Sequence, residues 1–189
     1  VSSVTEEVHK DTIYITVVDK DQMAVSLIYS IFHGFGSGIA SEKFGVLFQN
    51  RGAGFNLIPG HVNEYGAHKR PLHTIIPAII KENGIVNMPF GVMGGQYQAA
   101  GHARVLSNIY DFEMDIQAAL DAPRSFFENG SLRIERGYDK DTVEKLSNLG
   151  HPIDQKIGPI GGAQAIKIHD SGVLEGASDP RKDGCALGY

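Results

Sequence analysis

The sequence predicts an α+β fold. Short runs of β-branched and aromatic residues alternate at a period of two, turn sequences join neighbouring runs into hairpins, and three helical stretches lie between the middle and the last strands. Strands and helices come in groups rather than in strict β-α alternation, which separates this pattern from a parallel α/β sheet.

The first strand is read over residues 12–19, where Ile13, Ile15 and Val17 alternate with Thr12, Tyr14 and Thr16. Asp19-Lys20-Asp21-Gln22 forms a polar turn, and a second apolar run over 23–30 completes a hairpin. Further strands are expected at 45–49, 74–81, 85–92, 131–136, 163–169 and 173–177. Glu82-Asn83-Gly84 and Asp170-Ser171-Gly172 join two pairs of them, because Asn and Gly tolerate the positive φ that tight turns need. Helices are expected at 96–110, 115–120 and 139–149, the last starting on acidic capping residues and stopping at Gly150.

Composition narrows the class of function. Seventeen basic and twenty-two acidic side chains give a net charge of -5 without a basic stripe, so nucleic acid is not an expected partner. No apolar run approaches the roughly 18 residues of a membrane span. The single cysteine, Cys185, cannot close an internal disulfide; it is read as a buried or inert thiol, and no oxidising compartment is required. Residues 1–10 are polar and lack the apolar centre of a secretory signal; the compartment stays open, with a cytoplasmic setting slightly favoured. The eight histidines show no paired spacing with acids or cysteine, and no metal or other cofactor is expected. Gly34-Phe35-Gly36-Ser37-Gly38 lacks the following helix and lysine of a phosphate loop.

Seven ordered blocks carry a resemblance. TIYITVVDKD (12–21), AVSLIYSIFHGFGSG (24–38), FQNRGAGF (48–55), KRPLHTIIPAI (69–79), GVMGGQYQ (91–98), DAPR (121–124) and GASDPRKDGCALGY (176–189) together resemble the gamma-glutamyltransferase (gamma-glutamyltranspeptidase) family. The resemblance implies the small catalytic subunit of a self-cleaving precursor, an N-terminal nucleophile hydrolase closer to the acylase-like members. It also implies a four-layer αββα sandwich completed by a large subunit from the same precursor, as a heterodimer or a dimer of heterodimers. Residues 1–11 are then a junction segment before the cleavage site, and 12–189 the catalytic small subunit. The last block resembles the family's C-terminus.

Within that resemblance, Thr12 is the nucleophile and Asp11-Thr12 the bond that is cut. A threonine hydroxyl is weak at neutral pH, and its own α-amine, once freed, can serve as the adjacent base. Ser30, across the hairpin, stands where relatives carry a threonine that orients the nucleophile. Gly94 and Gly95, between a strand and a helix, stand where the family's glycine pair holds the oxyanion; two glycines let backbone amides approach a carbonyl oxygen closely. His73 and Thr74 lie where relatives carry hydroxyls that contact the reacting group.

Three departures bear on the substrate. Arg51 replaces a glutamine of the glutathione-cleaving members, Gly54 replaces the aspartate that holds the substrate's α-amine, and Phe32 replaces an asparagine that grips the glutamyl head. Loss of a buried carboxylate should weaken recognition of an ammonium group, whereas Arg51 offers a fork to a carboxylate or makes a structural ion pair. The expected activity is cleavage of gamma-glutamyl or related acyl amides of small molecules or peptides through a threonyl acyl-enzyme, with hydrolysis favoured over transfer. Two alternatives stay open: a glutaryl (cephalosporin-type) acylase, and an uncleaved, non-catalytic structural or binding homologue.

Overall fold

The computed structural model describes residues 12–155 and 158–189. The element order is β1 (Thr12–Val18), β2 (Ala24–Ser30), a 3-10 turn (Arg51–Gly54), β3 (Pro77–Glu82), β4 (Ile85–Met93), α1 (Tyr97–Tyr110) and α2 (Ile116–Asp121). It continues with β5 (Ser125–Glu128), β6 (Ser131–Ile134), α3 (Lys140–Asn148), β7 (Ile153–Asp154), β8 (Gly162–Ile168) and β9 (Leu174–Ser178).

The central sheet has the order β3-β4-β8-β9, all antiparallel. Strand β4 is buried without interruption from Met88 to Met93, which requires cover on both faces. Val92 points to the helices: a Cβ added at Gly101 of α1 would meet its Cγ1 at 2.6 Å. The next residue back, Gly91, points the other way, and a Cβ there would come within 2.4 Å of the Tyr14 ring of β1. Alternation along one strand thus places helices on one face of the sheet and the β1-β2 hairpin on the other. Between sheet and helices lies the core, with Met88, Phe90, Val92, Tyr97, Val105, Ile116, Leu120 and Ala163.

The turns and caps follow the local sequence. Asn83 and Gly84 take positive φ between β3 and β4, and Asp115 and Asp139 accept hydrogen bonds from the third amides beyond them, at 2.8 and 2.7 Å. Other expectations are corrected. Residues 45–49 form no strand; Leu47 makes one isolated bridge to Ala40, and Phe48 is held by loop hydrogen bonds to Ile39 and Ser37. Strand β3 starts at Pro77 rather than 74, because the Ile76 amide donates to the Gln98 side chain at 3.0 Å instead of a neighbouring strand. Strands β5 and β7, which the sequence reading lacks, pair with either edge of β6. Cys185 is exposed, because all of 182–189 runs over the surface rather than into the core.

The hairpin carries an unexpected polarity. Thr12 and Tyr14 face the central sheet and are buried, while Ile13, Ile15 and Val17 of β1 and Val25, Leu27 and Tyr29 of β2 are exposed. Their register, Ile13↔Tyr29, Ile15↔Leu27 and Val17↔Val25, gathers these six side chains on one outward face.

Candidate active site

The hairpin register sets Thr12 directly opposite Ser30. Thr12 is 9% exposed, and its Oγ1 donates to Ser30 Oγ at 3.1 Å. Ser30 Oγ also accepts from the Phe32 amide at 3.1 Å, so the serine ties the start of β1 to the chain beyond β2. Asp11, and with it the predicted scissile bond, lies outside the described residues. Burial pushes the Tyr14 phenol above its ordinary range against the lowering effect of its 2.7 Å hydrogen bond with Ser26; an uncharged ring therefore packs on Gly91.

The glycine pair sits where β4 passes into α1. Gly94 and Gly95 have φ of 128° and 60°, and the carbonyls of both receive the first-turn amides of Tyr97 and Gln98 at 3.2 Å. Only glycine suits Gly94, since a Cβ would stand 2.9 Å from Gly161 Cα. With the Tyr97 and Gln98 amides taken up in this way, the amides from Gly94 to Gln96, ahead of the helix, are the ones that can address a developing negative charge. Thr12 lies two residues before Tyr14 and Gly94 three after Gly91, so each is within about 10 Å, at a strand's rise per residue, of the contact where β1 crosses β4.

Gly95 lines a hollow of about 270 Å³ with Leu72, His73, Thr74, Ile76, Gln96 and Ala99. Thr74 connects it to Arg51, whose Nη1 donates to Thr74 Oγ1 at 2.8 Å. The guanidinium also lies 4.6 Å from the centre of the Phe32 ring, and Phe32, at φ 75°, stacks on His33 at 4.7 Å. Burial draws the Arg51 guanidinium below its usual pKa. A positive φ in a bulky residue is a local strain, held here by Ser30 on one side and Arg51 on the other. Gly54 closes the 3-10 turn that Arg51 opens; its missing Cβ would face Pro71 Cβ at 3.4 Å and the Leu72 carbonyl at 3.5 Å. Thr12, Ser30, Phe32, Arg51 and Thr74 thus form one connected chain that ends at the hollow shared by His73 and Gly95. A second hollow, of about 710 Å³ beside α3 and β7, is lined by none of these residues. Among the described residues no three His, Cys, Asp or Glu side chains converge in a way that could hold a metal ion.

Sequence reasoning left the DAPR and SDPR blocks without a role, and the structure brings them together. Arg124 pairs with Asp179 in the core and donates to the Ile160 carbonyl at 2.9 Å. Arg181 pairs with Glu135 at 2.7 Å and with Asp179 at 3.2 Å, and Glu135 accepts from the Ile160 amide at 2.6 Å. Burial alone would raise the Glu135 pKa; the Arg181 hydrogen bond and the Ile160 amide outweigh it and hold it below the usual range. Both backbone polar groups of Ile160 are thereby fixed, and Gly161 beside it packs against Gly94 and the Met93 carbonyl. The repeated arginine after Ala-Pro and Asp-Pro is the signal in the sequence that marks this network.

The gamma-glutamyltranspeptidase family matches residues 1–189. The chain is 36% identical to the Glutathione hydrolase-like YwrD proenzyme of Bacillus subtilis, over 96% of this chain and 36% of that protein. It is also 36% identical to the Oxamate amidohydrolase proenzyme of Klebsiella pneumoniae, over 95% of this chain and 36% of that protein. The solved cephalosporin acylase from Bacillus halodurans superposes with a TM-score of 0.85 at 38% identity, covering 93% of this chain and 34% of that one. The chain spans about a third of the length of the curated relatives it matches.

Proposed function

The chain belongs to the gamma-glutamyltranspeptidase family, and from that premise we propose that it is the nucleophile-bearing small subunit of an amidase that cleaves gamma-glutamyl or related acyl amides. The observation that carries this reading is the Thr12 hydroxyl: it begins a strand, is nearly buried, and is hydrogen-bonded to Ser30 across the hairpin.

In the proposed reaction, cleavage of Asp11-Thr12 frees the α-amine of Thr12. That amine takes the Oγ1 proton as Oγ1 attacks the amide carbonyl, and Ser30 holds the hydroxyl in its rotamer. The amides around Gly94 and Gly95 stabilise the tetrahedral oxyanion. Its collapse returns the proton to the leaving amine and leaves an ester on Thr12, which water hydrolyses in preference to an acceptor amine.

A large subunit from the same precursor completes the enzyme in this reading. The outward face of Ile13, Ile15, Val17, Val25, Leu27 and Tyr29 is an apolar sheet surface exposed among the described residues, of the kind that marks an association site, and covering it would add the fourth layer of the sandwich. The names of the relatives, a glutathione hydrolase-like protein, an oxamate amidohydrolase and a cephalosporin acylase, support amide cleavage and leave the acyl group open. A glutaryl-type acylase is the second reading, favoured by a cation at Arg51 and no carboxylate at Gly54.

Mass spectrometry of the acid-quenched reaction tests the proposal. The acyl group should remain on the peptide that begins with Thr12, and Thr12→Ala should abolish both the adduct and turnover. Turnover that survives in Thr12→Ala would refute it.

A further inference from the structure

Gln98, the second residue of α1, is fully buried, and its side-chain amide is only half satisfied. Its Oε1 accepts from the Ile76 amide at 3.0 Å, while its Nε2 is buried with no partner among the described residues. The Ile76 N–H fixes which atom is which, since only the oxygen can accept. A buried donor without an acceptor is costly, and a methionine would fill a similar volume without one. Such a penalty is expected where a position serves function ahead of stability.

The bond to Ile76 joins two parts of the candidate site. Residues 71–76 adopt no regular structure, and the β3-β4 ladder reaches only as far as the Pro77–Gly91 pair. Two ties hold this segment to the loop before it: the Leu72 amide donates to Asn63 Oδ1 at 2.9 Å, and Thr74 Oγ1 accepts from Arg51. Gln98 ties it to the other side. Its own main-chain amide donates to the Gly95 carbonyl at 3.2 Å, so one residue holds the glycine turn through its backbone and Ile76 through its side chain. His102 braces this turn of helix on β4, with Nδ1 donating to the Gln98 carbonyl at 2.6 Å and its ring 5.0 Å from that of Phe90. The hollow of about 270 Å³ is lined by both joined parts, by Thr74 and Ile76 as well as by Gly95 and Ala99. We infer that Gln98 is a positioning residue, which sets the segment carrying Thr74 against the amides that receive the oxyanion, so that a bound substrate carbonyl is aimed at them. The inference rests on the amidase reading above and assigns a part in it to a side chain that acts only through its neighbours. Misplacement by about 1 Å can slow a reaction by about a hundredfold, so loss of this tie belongs in kcat rather than in KM.

The test uses the assembled, processed heterodimer with glutaryl and gamma-glutamyl p-nitroanilides, kcat being counted per processed chain. Gln98→Met should lower kcat at least about tenfold for both anilides, with KM within about threefold and the ratio between the two unchanged. Its thermal midpoint should stay within about 3 °C of the unmutated enzyme, because the variant loses an unmet donor along with the bond. Hydrogen exchange should quicken in the peptide that contains Ile76 and stay unchanged in β4. Gln98→Glu keeps an acceptor oxygen in either protonation state and should restore most of kcat. A kcat that is unchanged in Gln98→Met, or a Gln98→Met protein that does not assemble, would overturn the inference, the latter by showing a purely structural role. Equal losses in an assembled Gln98→Glu enzyme and in Gln98→Met would do the same. Unchanged turnover in Gln98→Met spares the amidase, whereas an unmutated enzyme that cleaves neither anilide refutes the amidase and the inference with it.

Discussion

Gly54→Asp should move the acyl preference toward gamma-glutamyl. The position tolerates the side chain: Gly54 is not among the positive-φ glycines, and a Cβ would make ordinary contacts of 3.4 and 3.5 Å with Pro71 and Leu72. It is three residues from Arg51 in the 3-10 turn Arg51–Gly54, and side chains at that spacing eclipse one another. The new carboxylate would therefore lie over the guanidinium and compete with a substrate carboxylate for its donors. It would also supply the negative charge that an α-ammonium needs. A charge-assisted hydrogen bond contributes roughly 1.5–3 kcal/mol. If only half of the upper figure is redistributed between substrates, the ratio of kcat/KM for glutaryl over gamma-glutamyl p-nitroanilide falls about tenfold, equivalent to about 1.4 kcal/mol of transition-state binding. The two anilides differ by the α-amino group alone, so the assay reads that term directly. A ratio unchanged in a folded, processed Gly54→Asp enzyme would refute the reasoning and place recognition of the ammonium on the partner subunit.

Three further outcomes are expected. Gly161→Ala forces a Cβ to 2.5 Å from the Met93 carbonyl at φ 65°, which should cost roughly 2–4 kcal/mol of stability and, by displacing Gly94, lower kcat more than it raises KM; denaturant titration and steady-state kinetics measure both. Burial lowers the His102 pKa, against the hydrogen bonds to the backbone of Gln98 and Ile76. The folded state thus binds its proton less readily than the unfolded chain, so this part of the stability is complete above about pH 6.5 and is lost as pH falls from there through the depressed value; thermal midpoints between pH 7.5 and 5 should fall less in His102→Gln than in the unmutated protein. Ile15→Glu with Leu27→Glu, a cross-strand pair on the outward face, should prevent co-purification with the large subunit, since each apolar side chain fully buried there contributes about 1.5–3 kcal/mol.

What the sequence disclosed follows the range of the interactions. The β1-β2 hairpin, the Asn83-Gly84 turn and the aspartate caps of α2 and α3 depend on neighbours a few residues apart, and their residue types show them directly. Ser30 could be placed opposite Thr12 because a hairpin of known turn length fixes its own register. Strand β5, four residues following the DAPR block, is too short to show a period, and its strand character comes from pairing with β6. The alternation of Val46 and Phe48 imitates a strand in a segment that finds only loop partners. Contact among Phe32, Arg51 and Thr74 joins three separate segments, and the union of Arg124, Glu135, Asp179 and Arg181 spans 57 positions of sequence between its ends, 124 and 181. No local pattern encodes either one. The outward apolar face is likewise written in the alternation of β1, but only the structure shows that it is left exposed among the described residues.

The role of Thr12 is tested most directly by N-terminal sequencing and intact mass of the full-length precursor after incubation, with Thr12→Ala alongside. A small chain that begins at Thr12, formed by the unmutated precursor and absent from Thr12→Ala, is the predicted result. A precursor that stays intact while hydrolysing amides, or a Thr12→Ala protein that is still cut between Asp11 and position 12, would contradict it.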